Sequence, residues 1–239
     1  MKREIRLTAD GSTTIHLPDW GESYHSTHGA IQEAKHVFIK HGFNFFNQIK
    51  NNESSQKISI LEIGFGTGLN CFITYLSALQ TEVLIHYEGI EAFPITKEEV
   101  DKLNYVSELN AEDYRGDFEL LHGIPWETEH KISSSFSLTK KKQQFNEINH
   151  VNKFDIVYFD AFGAEYQPEL WTEDLFNIMY HALKTNGVLV TYSAKGSVRR
   201  AMLKVGFTVE KLPGPPGKRE MLRARKENTS KENEGKNEI

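Results

Sequence analysis

The stretch Ile58-Ser59-Ile60-Leu61-Glu62-Ile63-Gly64-Phe65-Gly66-Thr67-Gly68 limits most sharply what this chain can become. A short apolar run ending in three alternating glycines predicts a buried strand that turns abruptly. Leu69 to Leu79 then reads as a helix, and Val83 to Ile90 as a second strand that ends at the acid Glu91. Strand, turn, helix and strand in that order predict a parallel sheet with a crossover helix, and hence an α/β domain. The glycines let the backbone turn tightly and let a ligand approach where a side chain would stand in the way.

The spacing narrows the ligand. The dinucleotide fingerprint G-x-G-x-x-G would need glycine at position 69, which is Leu69. The pattern is instead E-x-G-x-G-x-G, which resembles the first motif of S-adenosylmethionine-dependent methyltransferases. S-adenosylmethionine has no phosphate and carries a sulfonium and an ammonium, so acids beside the turn suit it. Glu62, Gly64, Gly66, Gly68 and Glu91 are the expected cofactor-binding residues. An acid at a second strand end commonly accepts from ribose hydroxyls. The plain alternative is a glycine turn that only packs a helix on a sheet.

The rest of the chain arranges itself around this unit. Residues 1–56 form an N-terminal extension. Ile5/Leu7 and Ile15/Leu17 flank a hairpin turn at Asp10-Gly11. A helix over 29–50 follows, with Ile31, Ala34, Phe38, His41, Phe45 and Ile49 on one face. A polar linker spans Asn51 to Gln56. Residues 57–226 form the expected methyltransferase domain. Within it Thr96 and Glu99 stand at capping-box spacing. A polar surface excursion covers 127–152, with a short strand near 136–138. The sheet resumes at Phe154–Asp160. A helix over 169–183 follows, then a turn at Asn186-Gly187, a strand at 188–192 and a helix at 198–205. Pro213-Gly214-Pro215-Pro216-Gly217 joins two last short strands into an antiparallel hairpin. Residues 227–239 are nearly devoid of apolar side chains and are expected to be disordered.

Length and composition exclude several classes. At 239 residues there is room for one well-buried domain. The single cysteine, Cys71, excludes a disulfide framework or a Cys-cluster metal site, and no metal is expected. No run approaches the ~20 apolar residues of a membrane span. The first residues carry no apolar run behind their charges, so a cytoplasmic location is expected by elimination. Net charge is −5, yet residues 195–226 hold ten Lys/Arg against two acids. A basic end on an acidic body is compatible with phosphate binding or with a plain solvated surface.

Four blocks carry a more specific resemblance: Tyr24-His25-Ser26-Thr27-His28-Gly29-Ala30; Glu62 to Asn70 with Glu91-Ala92-Phe93-Pro94; Phe159-Asp160-Ala161-Phe162 with Pro168 to Thr172; and Thr191-Tyr192-Ser193-Ala194 through Val198-Arg199-Arg200 to Gly217–Leu222. Over about residues 20–225 the chain resembles the tRNA 5-methylaminomethyl-2-thiouridine methyltransferase family, as a stand-alone MnmC-like methyltransferase domain. The resemblance implies a Rossmann-like fold, mostly parallel, with a C-terminal antiparallel hairpin strand. It implies N-methylation of the aminomethyl group of 5-aminomethyl-(2-thio)uridine at the tRNA wobble position, with tRNA as partner. It places Tyr24 and Gly29, with His28 and Glu33, in an N-terminal wall over the cofactor. It puts Gln144 near the adenine, where the family carries an acid. Nothing in these residues matches the flavin-dependent oxidase domain of the bifunctional relatives, so the chain is not expected to process the carboxymethylaminomethyl precursor itself.

For the chemistry, Asp160 is the first candidate. It ends a strand where ligands collect in such folds, and its carboxylate can orient an amine and take up its proton. The plain alternative is an Asp that caps the following loop. Phe162 and Tyr192 are candidate substrate contacts, with Tyr166 nearby, while Trp171 is expected in the core. Lys195, Arg199, Arg200, Lys218 and Arg219 are candidates for tRNA phosphates. Two other readings remain open at this point: a methyltransferase for a small amine or other metabolite, and a non-catalytic nucleotide-binding scaffold.

Overall fold

The computed structural model describes residues 2–50 and 57–228. The linker expected at Asn51–Gln56, and all but the first two residues of the expected tail, lie outside them.

The chain opens with a three-stranded antiparallel sheet of β1 (Glu4–Leu7), β2 (Thr13–Leu17) and β3 (Glu22–Ser23). The hairpin turn at Asp10-Gly11 does a second job. Asp10 Oδ2 accepts from Gln32 N at 3.0 Å, and so caps the helix that follows. That helix runs as α1 (Ala30–Ala34), a π-wound middle at Lys35–Asn44, and α2 (Phe45–Ile49). The wider turns of the middle move the buried stripe off the 3.6-residue phase. Val37, Phe43 and Phe46 are buried, whereas Ile49, expected on the same face, is 48 % exposed.

The main sheet has eight strands in the order β10-β11-β9-β8-β4-β5-β7-β6. Its parallel centre is β4 (Lys57–Ile63), β5 (Leu84–Ile90), β7 (Phe136–Lys141), β8 (Phe154–Phe159) and β9 (Leu183–Thr191). The edges are antiparallel: β6 (Glu129–Lys131) on one side, the hairpin β10 (Thr208–Pro213) and β11 (Glu220–Arg225) on the other. Helix α3 (Leu69–Ala78) crosses from β4 to β5. The short α4 (Lys97–Val100) carries the Thr96/Glu99 capping box. Then come α5 (Tyr105–Glu108), α6 (Arg115–Gly123), α7 (Glu173–Ala182) and α8 (Gly196–Val205).

Alternation along the strands builds the three layers. Ile58, Ile60, Ile156 and Tyr158 face the N-terminal helix, α3 and α6. Leu61, Ile63, Val157 and Phe159 face α7 and α8. Each such side chain contributes about 1.5–3 kcal/mol by leaving water. Two further expectations differ from the structure. Much of the expected excursion is sheet: Phe136 and Leu138 are buried and Lys140 is only 1 % exposed, so polar residues disguise a strand of full length. Asn186 and Gly187 lie inside β9, where Asn186 takes φ 64° at a register shift rather than making a free turn.

Candidate active site

Strand order reverses between β4 and β8, and the crevice at their C-terminal ends is where open α/β sheets bind ligands. The loop after β4 is tied to both neighbours. Gly64 N and Phe65 N each donate to Ile90 O at 3.0 Å, and Asp160 N donates to Ile63 O at 3.0 Å. A Cβ on Gly64 (φ +89°) would stand 2.6 Å from the Asp160 carbonyl oxygen, and one on Gly66 would stand 3.1 Å from the Tyr24 ring. These glycines form the floor of a solvent-open cleft, whose walls carry Tyr24, Asn70, Glu91, Asp160, Phe162 and Tyr192. Gly68 lies just behind, packed against His122.

Glu91 stands on the rim with both oxygens oriented. Oε2 accepts from Gly66 N at 3.0 Å and Oε1 from Phe93 N at 2.8 Å. Each keeps acceptor capacity for a vicinal diol. Glu62 sits elsewhere than expected. It is fully buried beneath the cleft, and Asn70 stands between it and the opening. The Asn70 Nδ2 donates to Glu62 Oε1 at 2.9 Å and to Asp160 Oδ2 at 2.8 Å. Burial, helped by the charges of Asp160 and Glu91, pushes the Glu62 carboxyl well above the usual range. Asn70 Oδ1 is a buried acceptor with no partner among the described residues, which suits a donor such as an ammonium. The position of Asn70 two residues past the third glycine was the available signal for it.

Asp160 faces the cleft from the end of β8. Burial pushes its carboxyl up to about 7; the charge of Glu33 adds to this, and the Asn70 hydrogen bond and Lys218 oppose it. A carboxylate balanced near neutrality can both accept and release a proton. The N-terminal sheet closes the cleft from above. Trp20 and Tyr24 both meet the Phe162 ring edge-on, at 5.6 and 5.0 Å. Burial pushes the Tyr24 hydroxyl up to about 12, so it stays protonated. Arg3 fastens this roof to the loop after Glu91, donating to Phe93 O at 2.7 Å and to Glu99 Oε2 at 3.1 Å. Neither Arg3 nor Trp20 belongs to a motif that would single it out in sequence. Gln144 and Phe145 line the end of the cleft beyond Glu91.

The remaining candidates divide. Tyr192 lines the cleft and donates from its hydroxyl to Ala161 O at 2.8 Å. Gly29 is away from the cleft, where a Cβ would meet Asp10 Oδ2 at 2.7 Å, so its small size serves the helix cap. Lys195 pairs with Glu165 at 2.8 Å. Arg199 is half-buried, while Arg200 and Arg219 are exposed. Lys218 turns inward: its ammonium pairs with the buried Glu33 and lies 3.8 Å from the centroid of the Tyr192 ring. Trp171 is buried, with Nε1 donating to Phe162 O at 2.8 Å. Among the described residues no three His, Cys, Asp or Glu side chains converge as a metal site would require, and no helix is long and apolar enough to cross a membrane.

Comparison with known proteins agrees with this geometry. A family profile described as S-adenosyl-L-methionine-dependent methyltransferase matches residues 108–227, half of the chain. The tRNA 5-methylaminomethyl-2-thiouridine biosynthesis bifunctional protein MnmC of Leptospira interrogans is 32 % identical over 224 residues, covering 90 % of this chain and 34 % of that protein. Its counterpart in Leptospira borgpetersenii is 30 % identical over 207 residues, covering 83 % and 31 %. The chain thus spans about a third of the length of these relatives. The crystal structure of MNMC2 from Aquifex aeolicus superposes with a TM-score of 0.73 at 28 % identity, covering 93 % of this chain and 69 % of that one. A Rossmann-like sheet with a C-terminal antiparallel pair, a glycine floor, a rim carboxylate and this match together place the chain: it belongs to the S-adenosyl-L-methionine-dependent methyltransferase family.

Proposed function

We propose that this chain methylates the primary amine of 5-aminomethyl-(2-thio)uridine at the tRNA wobble position, giving 5-methylaminomethyl-(2-thio)uridine. The observation that carries the reading is Asp160: a carboxyl tuned to about 7, facing a cleft floored by glycines and roofed by aromatic rings. The names of the relatives supply the substrate class.

In this reading Gly64 and Gly66 let the cofactor lie against backbone, Glu91 accepts from its ribose hydroxyls, and the Asn70 amide oxygen receives its ammonium. Tyr24 covers it, and Gln144 with Phe145 borders its adenine. Glu62 acts from beneath by holding Asn70. S-adenosylmethionine supplies a methyl group activated on a sulfonium, which an amine lone pair takes by in-line displacement. The protein's own tasks are to strip the amine of its proton, align it and exclude water. Asp160 accepts that proton. Phe162, flanked by Trp20 and Tyr24, offers a ring edge and face to a splayed base, and Tyr192 closes the far wall. Lys195, Arg199, Arg200 and Arg219 approach the tRNA phosphates. The extension at 1–56 and the domain at 57–226 work as one unit, because the extension forms the roof.

The test is one incubation of the protein with methyl-labelled S-adenosylmethionine and tRNA from cells that lack this modification step, followed by digestion to nucleosides. Label is expected in 5-methylaminomethyl-(2-thio)uridine. Label confined to another nucleoside, or none in tRNA at all, contradicts the reading.

A further inference from the structure

Lys218 is in the wrong place for a residue that meets solvent phosphates. It sits in the loop between β10 and β11, pinned by Lys218 N donating to Pro215 O at 2.9 Å and Gly214 N to Arg219 O at 3.1 Å. Gly217 in that loop (φ +82°) is pressed against the His28 ring, leaving no room for a Cβ. The loop is thereby seated on the N-terminal segment, and the lysine stem reaches into the molecule. Its ammonium contacts Glu33, which is 6 % exposed and whose Oε1 also accepts from Ser26 N at 3.2 Å. The same ammonium lies over the Tyr192 ring, and the Tyr192 hydroxyl is fastened to the carbonyl of Ala161, the residue after Asp160. The Glu33 carboxylate is buried while the Lys218 side chain keeps 30 % of its surface exposed, so the lysine supplies a counter-charge at part of the desolvation cost of a fully buried pair.

The groups facing Asp160 show what the pair can do. Glu62 reaches it through Asn70, and Tyr192, from the end of β9, lines the same cleft. Lys218, from the hairpin loop, lies on the Tyr192 ring and on Glu33 from α1, and both charges bear on the Asp160 carboxyl. Glu33 alone would oppose a second negative charge in this poorly hydrated space; a cation beside it offsets that repulsion. We propose that Lys218, fixed by Glu33 and the Tyr192 face, is a positioning residue that offsets the repulsion of Glu33 on the Asp160 carboxylate, and so sets the pH at which Asp160 accepts the proton of the substrate ammonium. In that step an N–H bond of the ammonium breaks, an O–H bond forms on Asp160, and the amine is left with its lone pair. This rests on the reading of Asp160 as the proton acceptor.

The experiment follows the Asp160 carboxyl carbon by 13C NMR in the ligand-free protein, alongside the pH dependence of kcat/KM with aminomethyl tRNA. Lys218→Met, which keeps an apolar stem over Tyr192, should strengthen proton binding at Asp160 by about tenfold or more. Glu33→Gln should weaken it, and Lys218→Arg should leave it near the parent value, so the three together separate charge from folding. The acid limb of kcat/KM should move the same way. An Asp160 midpoint unmoved in correctly folded Lys218→Met and Glu33→Gln overturns the proposal. A midpoint that moves while the acid limb stays fixed leaves the electrostatic coupling standing and removes Asp160 as proton acceptor.

Discussion

Asn70 donates from Nδ2 to Asp160 Oδ2 at 2.8 Å, so an amide rather than a cation makes the nearest side-chain contact to the carboxylate that faces the cleft. A neutral donor holds the carboxylate in place and favours its ionised form, but less than burial opposes it. Burial is left as the dominant influence, and the carboxyl rises to about 7.

If Asp160 is the proton acceptor, the consequence is a conflict between activity and stability. An exposed Asp titrates near ~3.9. Because Asp160 titrates higher in the fold, the folded state binds its proton more tightly than the unfolded state. The stability it contributes is therefore lost as pH rises from about 4 to about 7. Asp160→Asn keeps an acceptor for Asn70 and removes this term. We expect the variant to be more stable than the parent at pH 8, by on the order of a few kcal/mol in denaturant unfolding, with little difference near pH 4. Its turnover should collapse while the cofactor still binds. Full turnover would remove Asp160 from the chemistry.

Gly64→Ala should damage fold and site together. Its Cβ would meet a main-chain oxygen at 2.6 Å, at a φ of +89° that alanine resists. We expect at least about 2 kcal/mol lost in denaturant unfolding and no detectable cofactor binding. Parent-like stability would show that the β4 and β8 ends are not pressed together as described.

The basic residues should separate by salt dependence. Replacing Arg200 or Arg219, both exposed, with Ala should lower the slope of log K against log salt for tRNA by roughly 0.7–0.9 for each phosphate no longer neutralised. Lys218→Ala should leave the slope unchanged, because that ammonium is engaged by Glu33. Equal effects at all three positions would contradict the inward placement of Lys218.

What could be read in the sequence was whatever is local. Strand, glycine turn, helix and acid lie within 34 residues, Ile58 to Glu91, and each is signalled by its own composition. Asp160 announced itself as the end of an apolar run. The hidden features depend on partners far along the chain. Lys218 looked like surface because its partner, Glu33, is 185 residues away. Glu62 looked like a ligand contact because nothing local shows Asn70 folding back over it. β7 was legible only as a short strand near 136–138, because Thr139, Lys140 and Lys141 read as polar surface, although Lys140 lies buried there. The π-wound middle of the N-terminal helix shifted a face that 3.6-residue counting had assigned.

If the cleft between β4 and β8 holds S-adenosylmethionine with Glu91 on its ribose, calorimetric titration shows it most directly. We expect one equivalent of S-adenosylmethionine bound per chain, and an affinity about 10- to 100-fold lower in Glu91→Ala, the range expected for losing hydrogen bonds to a charged group. Absence of binding to the parent protein, or equal affinity in Glu91→Ala, would contradict that placement.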